Sequence, residues 1–267
     1  MTQGGFQRYE GEALVLRVVE HGESDLIVRL LTPKLGRLTA IAKGARRSVR
    51  RFPGTLDLFN LLRVAVRRRG RAGMGFLEQA RLATPHLELR RDTRRYALAS
   101  FLCELLDRMA PEGAHGADAH RIFGFARAAF SALGEVQPDR SYRLLIELRA
   151  LDALGLRPEL GRCVRCGKPP TGGETIGFHV ADGGLVCVAC GSDRSDALIP
   201  VHLGTLKLLQ QGLDYDLARL GRLGFGAQAL AEAELLLFRF QRFHVGMELR
   251  SERFLAACFD ELPPGRG

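Results

Sequence analysis

The period of the apolar residues changes once along this chain, near residue 88, and that change constrains the fold more than any other feature. Before it the apolar runs are short and rich in β-branched residues. EALVLRVVE (12–20), SDLIVRLLT (24–32) and GRLTAIAK (36–43) are separated by His21-Gly22-Glu23 and Pro33-Lys34-Leu35-Gly36, which read as turns. In the second run Leu26, Val28 and Leu30 share one face, while Asp25 and Arg29 take the other. That is the pattern of a half-buried antiparallel strand. A fourth run (56–68) and, after the glycine-rich GRAGMG, a fifth (75–82) extend the series. Five strands and no strong helix predict a small closed barrel, with the OB-fold as the natural candidate.

After residue 88, Leu98, Phe101, Leu102, Leu105, Leu106 and Met109 follow the i, i+3, i+4, i+7 spacing of an amphipathic helix. Residues 118–133 and 139–154 predict two more helices, the latter capped by Asp139 or Ser141 and ended by Gly155 and Pro158. Helical patterns return at 203–213, 226–246 and 251–259, and the Pro-Gly-rich end at 263–267 predicts disorder. The expected fold class is therefore α+β. A five-stranded OB-fold nucleic-acid-binding domain (1–82) precedes a mostly α-helical domain (83–267), which carries a four-cysteine, zinc-finger-like insert at 161–195.

That insert holds Cys163-Val164-Arg165-Cys166 and Cys187-Val188-Ala189-Cys190, a C-x2-C-x20-C-x2-C pattern. Each pair can turn two sulfurs toward one point, and two such knuckles complete a tetrahedral S4 shell suited to structural Zn²⁺. Gly167 and Gly191, each following a pair, are expected to give the knuckles their conformational freedom. A dithiol redox pair and unliganded cysteines are the alternatives. His179, between the pairs on a predicted hairpin, is expected at the surface, and the lone Cys103 and Cys258 in the core.

The formal net charge is +9 over 267 residues. Residues 1–80 hold 15 basic and 7 acidic residues, whereas residues 163–267 hold 11 and 12. This asymmetry points to a polyanion at the barrel. Its densest parts are KGARRSVRR (43–51) and RVAVRRRGR (63–71). A solvated face is the other reading of either cluster, and two clusters in one small region, both on predicted loops, weigh against it. Arg outnumbers Lys 35 to 4, which genomic base composition also explains.

Local signatures of catalysis are missing: no P-loop, G-x-G-x-x-G, H-E-x-x-H or G-x-S-x-G occurs, and the acidic residues are not grouped for two metals. A binding protein is therefore expected rather than an enzyme. No apolar run reaches the ~18 residues of a spanning helix and no signal peptide is evident, so a cytoplasmic protein is expected.

The order of these features resembles the RecO family of bacterial DNA repair and recombination mediators, over nearly the whole chain. The matching segments are residues 11–47, with an acidic turn, a T-x-x-x-G hairpin and a K-G-x-[RK]-[RK] ending; residues 147–167, a helix running into the first knuckle; and FHVGMELRSERFL (243–255). The resemblance implies a nucleoid-associated, non-enzymatic protein that binds single- and double-stranded DNA and anneals complementary strands. It implies work with RecR to load RecA onto DNA coated by single-strand-binding protein, whose acidic, apolar C-terminal tail it contacts. The cysteine tetrad is not universal in the family, which suits a structural role.

The residues expected to carry DNA are Lys34 and Arg37 at the second turn, Lys43, Arg46, Arg47, Arg50 and Arg51 after the third strand, and Arg67, Arg68, Arg69 and Arg71 between the fourth and fifth. The first turn, His21-Gly22-Glu23, is not basic, a departure from the usual OB mode. Tyr9, Phe52, Phe59 and Phe76 are the available aromatics, each expected in the core rather than under a base. Binding should then be mostly electrostatic and steeply salt-dependent. The helical domain should carry the protein contacts, with Arg121, Arg127 and Arg143 as possible rim charges of a groove that sequence does not locate. An RNA-binding or ribosome-associated barrel protein and a zinc-dependent enzyme are the other readings.

Overall fold

The structure, a computed structural model, describes residues 6–69, 73–113, 116–170, 176–191 and 198–259. Arg71 and the predicted disordered end at 263–267 lie outside them. By its contacts the chain forms two units, Met1–Glu135 with Leu249–Gly267, and Val136–Glu248.

In the first unit, β1 (Phe6–His21), β2 (Asp25–Thr32), β3 (Gly36–Ala42), β4 (Leu61–Arg69) and β5 (Gly75–Thr84) close a barrel in the order β1-β2-β3-β5-β4. This is the expected five-stranded arrangement. β1 makes closure possible because it is 16 residues long and serves two partners. Its first half pairs with β4, from Phe6↔Arg69 to Leu14↔Leu61, and its second half pairs with β2. A register shift between Val15 and Arg17 marks the point where the strand bends from one partner to the other. The barrel closes through a short parallel pairing, Ala40↔Gly75 and Ile41↔Phe76. Gly75 is needed there, since a Cβ would come within 2.7 Å of Val66 Cγ1.

Period-2 alternation fills the interior. Ala13, Val15, Val28, Leu30, Leu38, Ala40, Leu62, Val64, Val66, Leu77 and Ala80 point inward and form one buried cluster. Burying a side chain of this size contributes about 1.5–3 kcal/mol.

The fourth strand begins at Leu61, not at residue 56. Phe59 adopts a left-handed backbone (φ 68°) that no strand tolerates. Its ring holds it there: fully buried, it packs edge-on to Tyr96 at 5.4 Å and against Phe130 at 6.0 Å. Asn60 Nδ2 donates to Thr55 O at 3.0 Å and closes the turn.

Helices α1 (Thr93–Met109) and α2 (Ala117–Glu135) follow, and both pack against strands of the β1–β2–β3 side. Asp92 caps α1 by accepting from Arg95 N. α7 (Ser251–Phe259, numbered in chain order) completes this unit against α1. Glu104 of α1 accepts from the Arg250 and Ser251 backbone N–H groups and from Ser251 Oγ, so it caps α7 from outside.

In the second unit, α3 (Arg140–Ala153), α5 (Leu203–Asp214) and α6 (Ala227–Val245) pack together. Between α3 and α5 lie β6 (Ile176–His179), β7 (Gly184–Val186), the single turn α4 (Val188–Gly191) and β8 (Leu198–Val201), with sheet order β7-β6-β8. Asp139 is the cap of α3, accepting from Tyr142 N at 2.7 Å. Gly155 (φ 84°) ends that helix. Among the described residues no helix is long and apolar enough to cross a membrane.

Candidate metal centre and nucleic-acid interface

The four knuckle cysteines converge. The sulfurs of Cys163, Cys166, Cys187 and Cys190 all lie within 4.8 Å of one another, and Cys166 Sγ and Cys187 Sγ are 3.7 Å apart. A tetrahedron with metal–sulfur bonds of about 2.3 Å has edges of about 3.8 Å, so these thiols fit a metal ion. Local hydrogen bonds shape the cradle. In the first knuckle Gly167 N donates to Cys163 O at 2.8 Å, with Gly167 at φ 73°; in the second, Gly191 N donates to Cys187 O at 2.9 Å. Gly191 differs from the expectation. It ends the helical turn α4 without a positive φ, and its lack of a side chain matters for space: a Cβ would lie 3.0 Å from Leu198 Cδ1.

Electrostatics also suits a ligated thiolate. Burial raises the Cys163 thiol, but backbone N–H groups of Cys187, Cys166 and Arg165 outweigh it and bring the thiol down to about 6. The Cys187 N–H contributes at 3.4 Å. Cys190 moves the other way, up to about 12, chiefly because its sulfur shares hydrogen bonds with Cys187 and Cys166. A cation among the four sulfurs would replace that shared proton. Arg165 is held by Asp182 at 3.1 Å and donates to Cys190 O at 2.6 Å, linking the knuckles.

His179 is not at the surface. It is nearly buried on β6, where Nδ1 lies 3.0 Å from Asp182 Oδ2 and accepts from Asp182 N at 3.2 Å, so it fixes the β6–β7 turn. Cys103 is buried, its thiol pushed up by desolvation; Cys258 is half-buried.

The barrel arginines separate into groups. Arg37 is engaged inside its own unit. Its Nη1 donates to Asp107 O at 2.6 Å, and Glu112 Oε2 lies 3.5 Å from Nη2. Arg68 points into the barrel wall, 4% exposed. Lys34 is exposed beside Arg68 and Arg8 at one mouth of the barrel, around a cavity of about 260 Å³.

Lys43, Arg46, Arg47, Arg50 and Arg51 gather at the other mouth, with Arg46 and Arg47 lining an open cavity of about 650 Å³. A short 3-10 turn (Ala45–Arg47) after Gly44 (φ 64°) presents them. Lys43 is paired with Asp25 at 2.7 Å, which holds the Asp25 carboxyl below its ordinary value. Arg46 is 3.3 Å from Glu20, and Arg51 donates to Lys43 O. Arg47 and Arg50 are exposed and form no ion pair among the described residues. Arg67 is 3.5 Å from Glu78, and Arg69 is exposed at the end of β4.

Tyr9, Phe52 and Phe59 are core residues. Phe76 is only half-buried, on the outer wall, with Arg67 5.7 Å from its ring centroid. Arg121 and Arg143 sit in ion pairs within their own helices, with Asp118 and Glu147, and Arg127 pairs with Glu12 of β1. A further residue against the barrel wall, not evident from sequence, is Asp107, the buried carboxylate to which Arg29 Nη1 donates at 2.8 Å. On the helix wheel Asp107 lies opposite the stripe of Leu98, Leu102, Leu105 and Met109, so the sequence gives no sign of its burial.

Two family models match the chain: "Recombination protein O N terminal" over residues 6–86 and "Recombination protein O C terminal" over residues 90–253. Similar proteins include the DNA repair protein RecO of Anaeromyxobacter dehalogenans (strain 2CP-C), 36% identical over 94% of this chain and 95% of that one. Those of Syntrophus aciditrophicus (strain SB) and Myxococcus xanthus (strain DK1622) are 32% and 34% identical. They align with 92% and 94% of this chain, and with 95% and 98% of their own lengths.

Proposed function

The chain belongs to the RecO family, and on that premise we propose that it acts in DNA repair as a non-enzymatic mediator. In this reading it binds single- and double-stranded DNA and anneals complementary strands. With RecR it helps load RecA onto DNA coated by single-strand-binding protein, whose C-terminal tail it contacts. Residues 1–82 carry the nucleic acid; residues 83–267 carry protein contacts, with 161–195 as a structural zinc module. The protein works in the cytoplasm, at the nucleoid.

The observation that carries the DNA reading is the closed barrel with Arg47 and Arg50 exposed and unpaired at its mouth among the described residues. Annealing needs two phosphate backbones brought together against their repulsion. Exposed guanidiniums achieve that by releasing counterions, without reading sequence. Lys34, Lys43, Arg46, Arg51, Arg67 and Arg69 add to the field, with Arg71 as a candidate outside the described residues. Arg37 acts through the fold, tying β3 to α1, and Arg68 is buried in β4. Strand annealing, with and without the coat protein and across a salt series, tests the proposal. Reversing Arg46, Arg47, Arg50 and Arg51 together to Glu should weaken single-stranded DNA binding at least about tenfold. Unchanged affinity removes this mouth from the site, and a strong preference for structured RNA overturns the DNA reading.

The four thiols would hold Zn²⁺, which supplies cross-linking of two knuckles and leaves no open position for a substrate. Purified protein should contain one zinc per chain, and Cys163→Ser should abolish it. Zinc lost on changing a histidine instead would point to a different, open site.

A further inference from the structure

The arginines expected from sequence to carry DNA lie at predicted turns and loops between strands. The outer wall carries a second feature. Arg63 on β4 and Arg81 on β5 stand directly opposite each other in the antiparallel register, and both are exposed. Side chains so placed have Cβ atoms only about 4.5–5.5 Å apart, and like charges there repel. The neighbouring carboxylates do not relieve them. Glu12, across from Arg63 on β1, lies 3.5 Å from Arg127; Glu10 pairs with Arg8, and Glu78 with Arg8 and Arg67. Among the described residues no carboxylate reaches ion-pair distance of Arg63 or Arg81. With the Gln79 amide turned so that its oxygen faces Arg81, it accepts from Arg81 Nε at 2.8 Å.

The opposite wall is unavailable. OB-folds bind oligonucleotides on the face of strands 2 and 3. Here that side is packed by α1 and α2, and Arg29 and Arg37 are drawn onto α1.

We infer that the outer face of β4–β5 is a track for single-stranded DNA, in which one phosphate bridges Arg63 and Arg81. A phosphodiester carries one negative charge and two free oxygens. Two facing guanidiniums can each donate to one of them, which turns the repulsion between the arginines into a shared attraction. Arg67 and Arg69 continue the line along β4 on the same face, four and six residues beyond Arg63. The Arg67 guanidinium covers the Phe76 ring, so the track binds backbone and does not stack bases. This inference rests on the DNA-binding reading above and extends it to residues that the loop assignment left out.

The test is fluorescence anisotropy with labelled oligo-dT across a salt series, comparing the unaltered chain with Arg63→Gln/Arg81→Gln. Losing the one bridged phosphate should make the slope of log K against log[salt] shallower by about 0.7 and weaken binding about fourfold at 0.15 M salt. Arg63→Lys/Arg81→Lys should restore most of the slope, because it keeps both charges. If the unaltered chain binds while the Gln variant keeps its affinity and slope, the track is wrong and the DNA reading stands. If the Lys variant binds as poorly as the Gln variant, the bridging-charge account is overturned. If the unaltered chain binds no oligo-dT, the DNA reading itself fails and takes the track with it.

Discussion

The two walls of the barrel carry arginines of the same chemistry in opposite situations. On the β1–β2–β3 side, Arg29 donates to Asp107 at 2.8 Å, Arg17 lies 3.9 Å from the same carboxylate, and Arg37 reaches the Asp107 carbonyl. On the β4–β5 side, Arg63 and Arg81 face each other without a carboxylate in ion-pair range among the described residues. The first set is spent on holding a helix to a sheet. The second set forms no ion pair among the described residues, and in the proposal above it is left to a phosphate. Clustered arginines therefore do not identify a binding surface; the location of their counter-charges does.

The largest expected effect tests the spent side. Asp107 is buried, and its carboxylate accepts a charge-assisted hydrogen bond from Arg29, with Arg17 and Arg37 within 4.0 Å. Asp107→Ala should cost about 2–3 kcal/mol, since a hydrogen bond to a charged group is worth about 1.5–3 kcal/mol. Thermal melting should shift down by several degrees. Arg29→Gln should also melt lower, yet leave oligo-dT affinity within about twofold. The comparison breaks if Arg29→Gln leaves melting unchanged and weakens DNA binding as strongly as the Arg63/Arg81 pair does.

Most of the fold was legible in the sequence, because both of its periodicities are local. The alternation of Leu26, Val28 and Leu30 is a property of eight residues, and so is the cap of α3 at Asp139. The cysteine cluster was legible for the same reason: each knuckle is four residues long, and its spacing carries its geometry. The start of β4 was not, because Phe59 is held in a left-handed conformation by Tyr96 and Phe130, 37 and 71 positions further along the chain. The interface was the least legible part. Which arginine is engaged depends on carboxylates such as Asp107 and Glu112, distant in sequence, and the Arg63–Arg81 register exists only once β4 and β5 pair.

A smaller effect lies at the mouth between the walls, where both situations mix. Lys43 is bound to Asp25, while Arg47 and Arg50 are not bound to any carboxylate among the described residues. The Lys43 ammonium, then the Gly44 N–H, hold the Asp25 carboxyl below its ordinary 3.8. With the folded value depressed, the stabilisation is complete above the unfolded value of about 4 and is lost as pH falls through the folded one. A melting series from pH 6 to pH 2 should therefore fall less steeply below about pH 4 for Asp25→Asn than for the unaltered chain. The carboxylate is partly accessible to solvent, which screens the pair, so at neutral pH Asp25→Asn should melt only slightly below the unaltered chain. Freeing Lys43 should raise oligo-dT affinity by at most about threefold, one partial counterion's worth. Identical acid limbs would show that the Asp25–Lys43 contact contributes nothing to folding, and Lys43 would then belong with Arg47 and Arg50 among the charges left to a ligand.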